Sequence, residues 1–589
     1  MATETQAAKQ AKTETEDWRK RESIGSFLRD VILVAVILGV GLWMYRGSVE
    51  TGKQVRALGK EVKQLMLKDS PEHYVKAEEK LKAMLELDSD FPFAVASLAE
   101  LYAIRWLDFG IEADASKARE WAKKASQLKA RINERFGAEV LAKLGEGQFA
   151  EAEKFASEIS KQAASSHVVN GLGRAFVGQG KLEEAKIALK KAADTEWRNP
   201  RFACDIADVY LADGDHANAL AFYSKGVESN SDHARSLIGR SRAQIARGQR
   251  IKDASDTLKE VLERGDEQMS PLLKAQALVA MSELRMFEQK YDEAAKLADD
   301  AIAAFDKYPW SHFARGRAMA ALQKAPEAGA AFDRALELGR YVPEFYYTGA
   351  KALLAAGDQI KAPTLLDAYV KAMREDDRLH LAYGDLLMQM NKGVEALEHF
   401  QKAIAFNSFN AQAHYAKGAA LYDARAQVGA GLEDTKPEAM KRLTERLIND
   451  LNITIDEFKK EKWEVAHLEK ELKVWTSIKG KGFNWDGLSP EEKDLVLVQT
   501  ALDELKLALE VQEYFPDAYS KMGDIRFGRQ EYADACQQWA QALMQMKQLQ
   551  RPRDLLAAVR ENINTRLIKE AKQKDIAKAW MDETAALVR

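Results

Sequence analysis

Residues 171–192 read GLGRAFVGQGKLEEAKIALKKA. The same spacing returns in DIADVYLADGDHANALAFYSKG (205–226), YGDLLMQMNKGVEALEHFQKA (383–403) and MGDIRFGRQEYADACQQWAQA (522–542). In the first copy a small residue, Gly173, is followed by Phe176, then Ala185, Leu189 and Ala192. The other copies carry Ala207, Tyr210, Ala219, Tyr223 and Gly226; Gly384, Leu387, Ala396, Phe400 and Ala403; and Gly523, Arg526, Ala535, Trp539 and Ala542. The spacing has a physical reason. Two short antiparallel helices approach closely where small residues face each other, and the large residue fills the gap toward the next pair. Between them stand turns such as GQGK (178–181) and ADGD (212–215), rich in the residues that tight turns require. One pair cannot bury its apolar face alone, so pairs must stack.

The pattern resembles the tetratricopeptide repeat family, helix–turn–helix units with a period of about 34 residues. Looser copies carry Gly239 and Ala254; Gly316, Ala328, Phe332 and Ala335; and Gly349 and Leu366. Toward the N-terminus the frame thins to Ala77 and Leu81, and WLDFGIEAD intervenes before Ala118. The resemblance spans about a dozen helix pairs over 71–547. It implies an all-α, right-handed helical solenoid, to which the apolar run at 31–45 adds an expected N-terminal transmembrane helix.

Composition agrees with a long helical body. Charged residues make up 30% of the chain, and its 12 prolines and 34 glycines exclude collagen-like and low-complexity classes. The net charge of −4 offers no basic stripe, so no nucleic-acid partner is expected. Two cysteines, Cys204 and Cys536, exclude a disulfide framework and a Cys-rich metal site.

VILVAVILGVGLWMY (31–45) breaks the soluble pattern. Fifteen uncharged residues rise only ~22 Å, but the largely apolar 24–28 extends the run, and Arg29 and Arg46 can snorkel to the two interfaces. Trp43 and Tyr45 stand where an interfacial aromatic belt belongs. The acid-containing tail before the run, and the lack of a small-x-small site after it, argue against a cleaved signal peptide. The expectation is a single-pass anchor at 24–46, after a polar tail at 1–23 and before a helical linker at 47–70. Basic residues balance on the two sides, five in 11–30 and five in 46–65. A short tail carrying Arg19-Lys20-Arg21 resists crossing, whereas large domains cross largely regardless of charge. The body is therefore expected on the periplasmic side of a bacterial inner membrane, with a cytoplasm-facing body as the alternative.

One repeat is split. Gln412–Ala424 reads as a first helix, with Gly418 and Leu421 in frame, but its partner returns only at Ala501, Leu505 and Ala508. Ser489-Pro490-Glu491-Glu492 marks the restart as a capping box with proline at the first helical position. The solenoid is thus expected over 71–426, an insertion over 427–488, further repeats over 489–550 and capping helices over 551–589. In the insertion, Met440, Leu443, Leu447, Leu451, Ile455, Phe458, Val465, Leu468, Leu472 and Trp475 form an amphipathic stripe. It reads either as one long helix or as a hairpin broken near Asn452. The stripe packs on the solenoid or takes a partner helix. GKGFNWDG (480–487) lacks the spacing of a phosphate loop and reads as a connection whose Phe483 and Trp485 pack.

Nothing in the chain reads as catalytic. The nine histidines form no HExxH or other close ligand pair, and GxSxG and kinase-type motifs are absent. No enzyme activity, cofactor or metal is expected. By analogy with the family, the first helix of each pair lines the inner face. There the frame places a polar zone with Asn170, Arg174, Asp205, Asp208, His233, Ser236 and Arg240, and an aromatic zone with Trp310, Phe313, Arg317, Tyr346, Tyr415 and Tyr422. Aromatic residues of this kind either mark a binding face or fill the inside of a tightly wound solenoid. The Lys/Asn/Lys/Arg clamp for chaperone tails is not found. The function expected is a membrane-tethered scaffold for protein–protein interaction, in an envelope or secretion-related complex. The alternatives are a structural oligomer paired through the insertion, or a non-catalytic subunit of a membrane enzyme complex.

Overall fold

The computed structural model describes residues 25–128, 132–162, 165–265, 267–427, 433–460, 465–549, 551 and 553–588. Among them every regular element is helical. The chain divides into two compact units, Met1–Glu146 and Gly147–Arg589.

The first unit holds α1 (Gly25–Met66), α2 (Pro71–Leu87), α3 (Pro92–Leu107), α4 (Ala115–Gln127) and α5 (Asn133–Gly145). Helix α3 is its core, buried from Ala94 to Ile104. A polar clasp fixes its end: Arg105 reaches Glu78 Oε2 at 2.6 Å and Asp114 Oδ2 at 2.7 Å, and Tyr102 donates to Glu78 Oε1 at 2.9 Å. In α1 the described side chains Val31–Leu38 are exposed apart from the chain's own helix. Among the described residues, no helix is long and apolar enough to cross a membrane. The tail at 1–23 and residue 24 lie outside the described residues, as do the side chains of Trp43, Tyr45 and Arg46. The span expected at 24–46 therefore finds no support in the described part of the fold.

The second unit opens with α6 (Phe149–Gln162), and helix pairs follow: α7 (Ser166–Val177) with α8 (Leu182–Thr195), α9 (Pro200–Ala212) with α10 (His216–Ser229), and α11 (Ala234–Ala246) with α12 (Ile251–Leu262). Next come α13 (Pro271–Phe287) with α14 (Tyr291–Ala304), α15 (Pro309–Ala321) with α16 (Ala325–Leu338), α17 (Pro343–Ala355) with α18 (Lys361–Ala372), and α19 (Asp377–Gln389) with α20 (Gly393–Phe406). Prolines recur at first helical positions, where a missing N–H costs nothing. Asn199 and Ser270 cap α9 and α13 through their side chains. Each turn inside a pair needs one left-handed residue. Gly180 (φ 73°) and Gly214 (φ 75°) supply it without strain, whereas Gln289 and Gln323 take it elsewhere.

The repeated small-and-large pattern is a set of direct contacts. A Cβ added at Gly173 would lie 2.5 Å from Leu189 Cγ, and one at Gly316 would lie 2.6 Å from Phe332. Gly384 faces Phe400, and Gly523 faces Trp539, in the same way. Overpacking such a contact costs ~1–3 kcal/mol. We expect Gly173→Leu to lower the unfolding free energy by about that much. Hydrogen exchange should rise chiefly in α7 to α9, since repeats lean on their neighbours. Unchanged exchange there would refute the assigned register.

The stack also touches itself across long stretches of sequence. Arg378 pairs with Asp213 Oδ1 at 2.7 Å and donates to the Asp213 carbonyl, 165 residues away in the chain. Lys186 holds the same carboxylate at 2.6 Å. Gly180 faces the Tyr341 ring, Gly214 faces Glu344, and Gly248 faces Arg551. Met373, like Phe176, Val177 and Tyr210, packs against the buried cluster that holds Leu189, Phe202 and Leu211. The turns of early pairs are thus covered by segments several pairs later, and the inner face between them is narrow.

Beyond α20, α21 (Ala411–Asp423) does not pack on the next helix in sequence. That position is taken by a hairpin of α22 (Pro437–Lys460) and α23 (Ala466–Gly480). α21 packs instead on α24 (Pro490–Val511): Gly418 faces the Ala501 carbonyl, and His414 and Lys417 both reach Glu504, at 2.6 and 2.9 Å. Lys417 also holds Asp434 at 2.8 Å. Burial pushes the Glu504 carboxyl up, but His414 and Lys417 more than offset it and hold it below its ordinary range; the bond to Glu504 raises His414 against the opposing effect of burial. The capping box at Ser489 and Glu492 starts α24.

The break expected near Asn452 is not there. Asn452 lies inside α22, which continues to Lys460, and the Thr454 hydroxyl bonds back to the Asp450 carbonyl; residues 461–464 lie outside the described residues. A possible cap is outweighed when the residues on both sides continue the apolar stripe. Met440, Trp475, Ile478 and Trp485 are buried in the core of the split repeat, with Leu443, Leu447 and Leu451 against it. Most of the stripe is thus packed on the chain itself. α25 (Pro516–Gly528) and α26 (Tyr532–Gln548) form the next pair; α27 (Arg553–Lys569) and α28 (Lys574–Glu583) cover it through Leu556, Ile563, Leu567 and Trp580.

Candidate functional site

The inner face of the second unit carries a cavity of about 430 Å³, walled by α9 to α11, α13 to α15 and α17. Its floor is Arg242 on α11. The guanidinium meets Glu283 on α13 through two bonds, 2.9 and 2.7 Å, and donates to Tyr308 at 3.3 Å. It also lies 4.3 Å over the ring of Trp310. Trp310 is edge-on to Phe345 at 4.9 Å and to Phe313 at 5.7 Å, so its plane is set by core rings. The side chain of Arg242 is 5% exposed, and a charge held so deeply persists only because the planar fork matches the carboxylate.

Around this floor stand His216, Arg317, Glu344 and Thr348. Glu344 accepts from Thr348 at 2.5 Å, makes no ion pair among the described residues and lies near enough to His216 to oppose the lowering of its pKa. Arg317 lies 5.9 Å from the Phe313 ring and makes no ion pair among them. Burial keeps the His216 imidazole neutral by lowering its pKa, and its Nδ1 has no hydrogen-bond partner among the described residues.

Of the residues singled out in the sequence, Trp310 and Arg317 line this cavity together. Phe313 and Tyr346 do not face it. They are 1% and 3% exposed, inside the core of Phe332, Phe345 and Tyr369, and offer no surface to a partner. The correction has a packing reason: a ring at these positions fills the groove to the neighbouring pair. Tyr415 is half-buried against Phe515, and Tyr422 lies beneath Arg425 and Lys521 at the split repeat, away from the cavity.

The polar zone is likewise mostly internal. Asn170 is buried and donates to Asp205 Oδ2 at 2.9 Å, while Arg235 bridges Asp205 and Asp208. Arg174 contributes positive charge near Asp205, which stays ionised although buried. His233, Ser236 and Cys204 form a closed cluster, in which burial pushes the thiol far up. Arg240 is half-buried, and burial with nearby Arg250 lowers its pKa.

His216, Arg242, Glu283 and Glu344 were not legible as site residues. They occupy other positions of the repeat frame and meet only because the stack closes on itself. Elsewhere, His380 and His399 touch through Nδ1 atoms 3.1 Å apart. Burial, then the mutual positive charge and Lys402, bring His399 down to about 4, and burial and Lys402 lower His380, against Glu375, Asp376 and Glu395. A histidine lowered in the fold contributes stability that is full above its ordinary value of about 6.5 and lost as pH falls toward the folded value. Melting should therefore fall between pH 6.5 and 4, and His399→Gln should flatten that limb. An unchanged limb would assign the loss to carboxylates. Among the described residues no group of three or more His, Cys, Asp or Glu could hold a metal ion.

Residues 170–234 and 279–343 match the tetratricopeptide repeat family model. No curated protein sequence matches the chain. Among solved structures, a tetratricopeptide repeat protein from Parabacteroides merdae is 16% identical, with 48% of this chain and 96% of that one covered and a TM-score of 0.27. The human IFIT1 dimer with PPP-AAAA is 14% identical over 77% and 94%, with a TM-score of 0.38. Yeast Tom70 is 15% identical over 87% and 97%, with a TM-score of 0.35. Repeats of this family mediate protein–protein interaction.

Proposed function

We propose that this tetratricopeptide-repeat protein is a membrane-tethered scaffold that holds a protein partner at the inner face of its helix pairs, in an envelope or secretion-related complex. The observation that carries the reading is the convergence of five successive helix pairs on one open cavity containing Trp310, Arg317 and Glu344. Packed helix pairs need no such cavity for stability, and aromatic and arginine side chains are the usual anchors of interfaces. The apolar run 31–45 supports the tether, since α1 carries it directly into a helix that ends at Met66. The short tail, with its Arg19-Lys20-Arg21 cluster, supports a body on the periplasmic side.

A photo-crosslinking residue at Arg317, in native membranes, should trap one defined partner, and Trp310→Ala should reduce that product at least tenfold. Loss of the product together with collapse of the fold, followed by thermal melting, would assign Trp310 to the core alone. Protease added outside intact spheroplasts should digest the body; full protection of residues 71–589 would reverse the orientation.

A further inference from the structure

The cavity carries charges that do not cancel in pairs. Arg242 and Glu283 satisfy each other through two bonds, which leaves the floor neutral. Two charges remain on the walls: Arg317 on α15 and Glu344 on α17, each without an ion-pair partner among the described residues. A lone anion would answer Arg317 and leave Glu344 confronted with a like charge. A lone cation would do the reverse. Removing either wall charge from water without compensation is unfavourable. A ligand bearing one charge of each sign satisfies both.

The rest of the lining limits size and side-chain character. About 430 Å³ lies at the small end of ligand cavities and is far too small for a helix. Ile245, Met286 and Phe287 supply an apolar wall beside Trp310. The buried Nδ1 of His216 offers one more polar atom without a partner among the described residues. We propose that the cavity binds a free α-amino acid with an apolar side chain. Its carboxylate pairs with Arg317, its ammonium pairs with Glu344, and its side chain lies along Phe287 and Met286. The inference rests on the inner cavity being a binding site, as the proposed function does, but it does not depend on a protein partner.

The test uses the full chain in detergent and three matched probes measured by calorimetry and thermal shift. These are L-leucine; isocaproate, which lacks the ammonium; and isoamylamine, which lacks the carboxylate. L-Leucine should bind at least tenfold more tightly than either singly charged analogue. Arg317→Gln and Glu344→Gln should each abolish that preference while leaving the melting temperature without ligand close to that of the unaltered chain. The comparison among probes on the unaltered chain stands even if a variant unfolds. No binding of L-leucine, or equal binding of isocaproate or isoamylamine, would overturn the proposal. Either result would leave the crosslink from Arg317 intact, so failure here is distinguishable from failure of the scaffold reading.

Discussion

Arg242→Ala should lower the unfolding free energy by ~3–5 kcal/mol, the range for breaking a buried ion pair by removing one partner. Glu283, only 14% exposed, then keeps its charge without the guanidinium that answers it, and the Trp310 ring loses its cationic cover. Arg242→Lys should recover little, because an ammonium cannot supply the two parallel bonds now made at 2.9 and 2.7 Å. The double change Arg242→Leu with Glu283→Leu should recover much of the loss, since no buried charge is stranded. Urea unfolding of the four proteins measures the series. A loss below about 1 kcal/mol in Arg242→Ala would mean that Glu283 reaches water once its partner is gone, as an exposed pair would behave.

Gly418→Leu should be the most damaging of the glycine substitutions. A Cβ there would lie 2.8 Å from the Ala501 carbonyl oxygen and 3.0 Å from Leu505. The obstacle at Ala501 is backbone, which cannot swing aside as Leu189 can at Gly173. The cost should reach or exceed the upper end of the ~1–3 kcal/mol range for overpacking. The damage should centre on the split repeat. Hydrogen exchange should rise across α21 and α24, and the Lys417 and His414 bonds to Glu504 should loosen with it. Gly487→Ala, which meets nothing within 4 Å, is the matched control and should leave stability unchanged. If exchange stayed native in α24 of Gly418→Leu, the pairing of α21 with α24 would be wrong.

The helix pairs were legible because their cause is local. Gly173 and Leu189, or Gly384 and Phe400, sit within one helix–turn–helix unit, so a spacing in sequence is already a contact in space. The restart at Ser489 was equally local, a cap whose donors and acceptors lie within three residues. The hairpin break was misplaced because Asn452 offered a plausible cap, while the apolar stripe continuing past it decided the outcome.

The site was less legible. Frame positions selected Trp310 and Arg317, which share the cavity, but they also selected Phe313 and Tyr346, which fill the core. A residue on the inner helix faces the channel or the next pair according to how tightly successive pairs wind, and a single repeat does not encode that angle.

What the sequence alone determined, then, is the repeating helix pair, its small-to-large contacts, and an apolar run whose placement in a membrane is proposed from hydropathy. Tertiary structure decided which of the inner residues remain open. It did so through contacts such as Arg378 with Asp213, 165 residues apart, and Glu344 against Gly214. Those contacts bring α17 and α19 to the turn between α9 and α10, and α17 so completes the walls around Arg242. Periodicity reports the partners of a residue within its own repeat and the next. Closure of the stack on itself depends on small rotations summed over many repeats, and that sum appears in no local pattern.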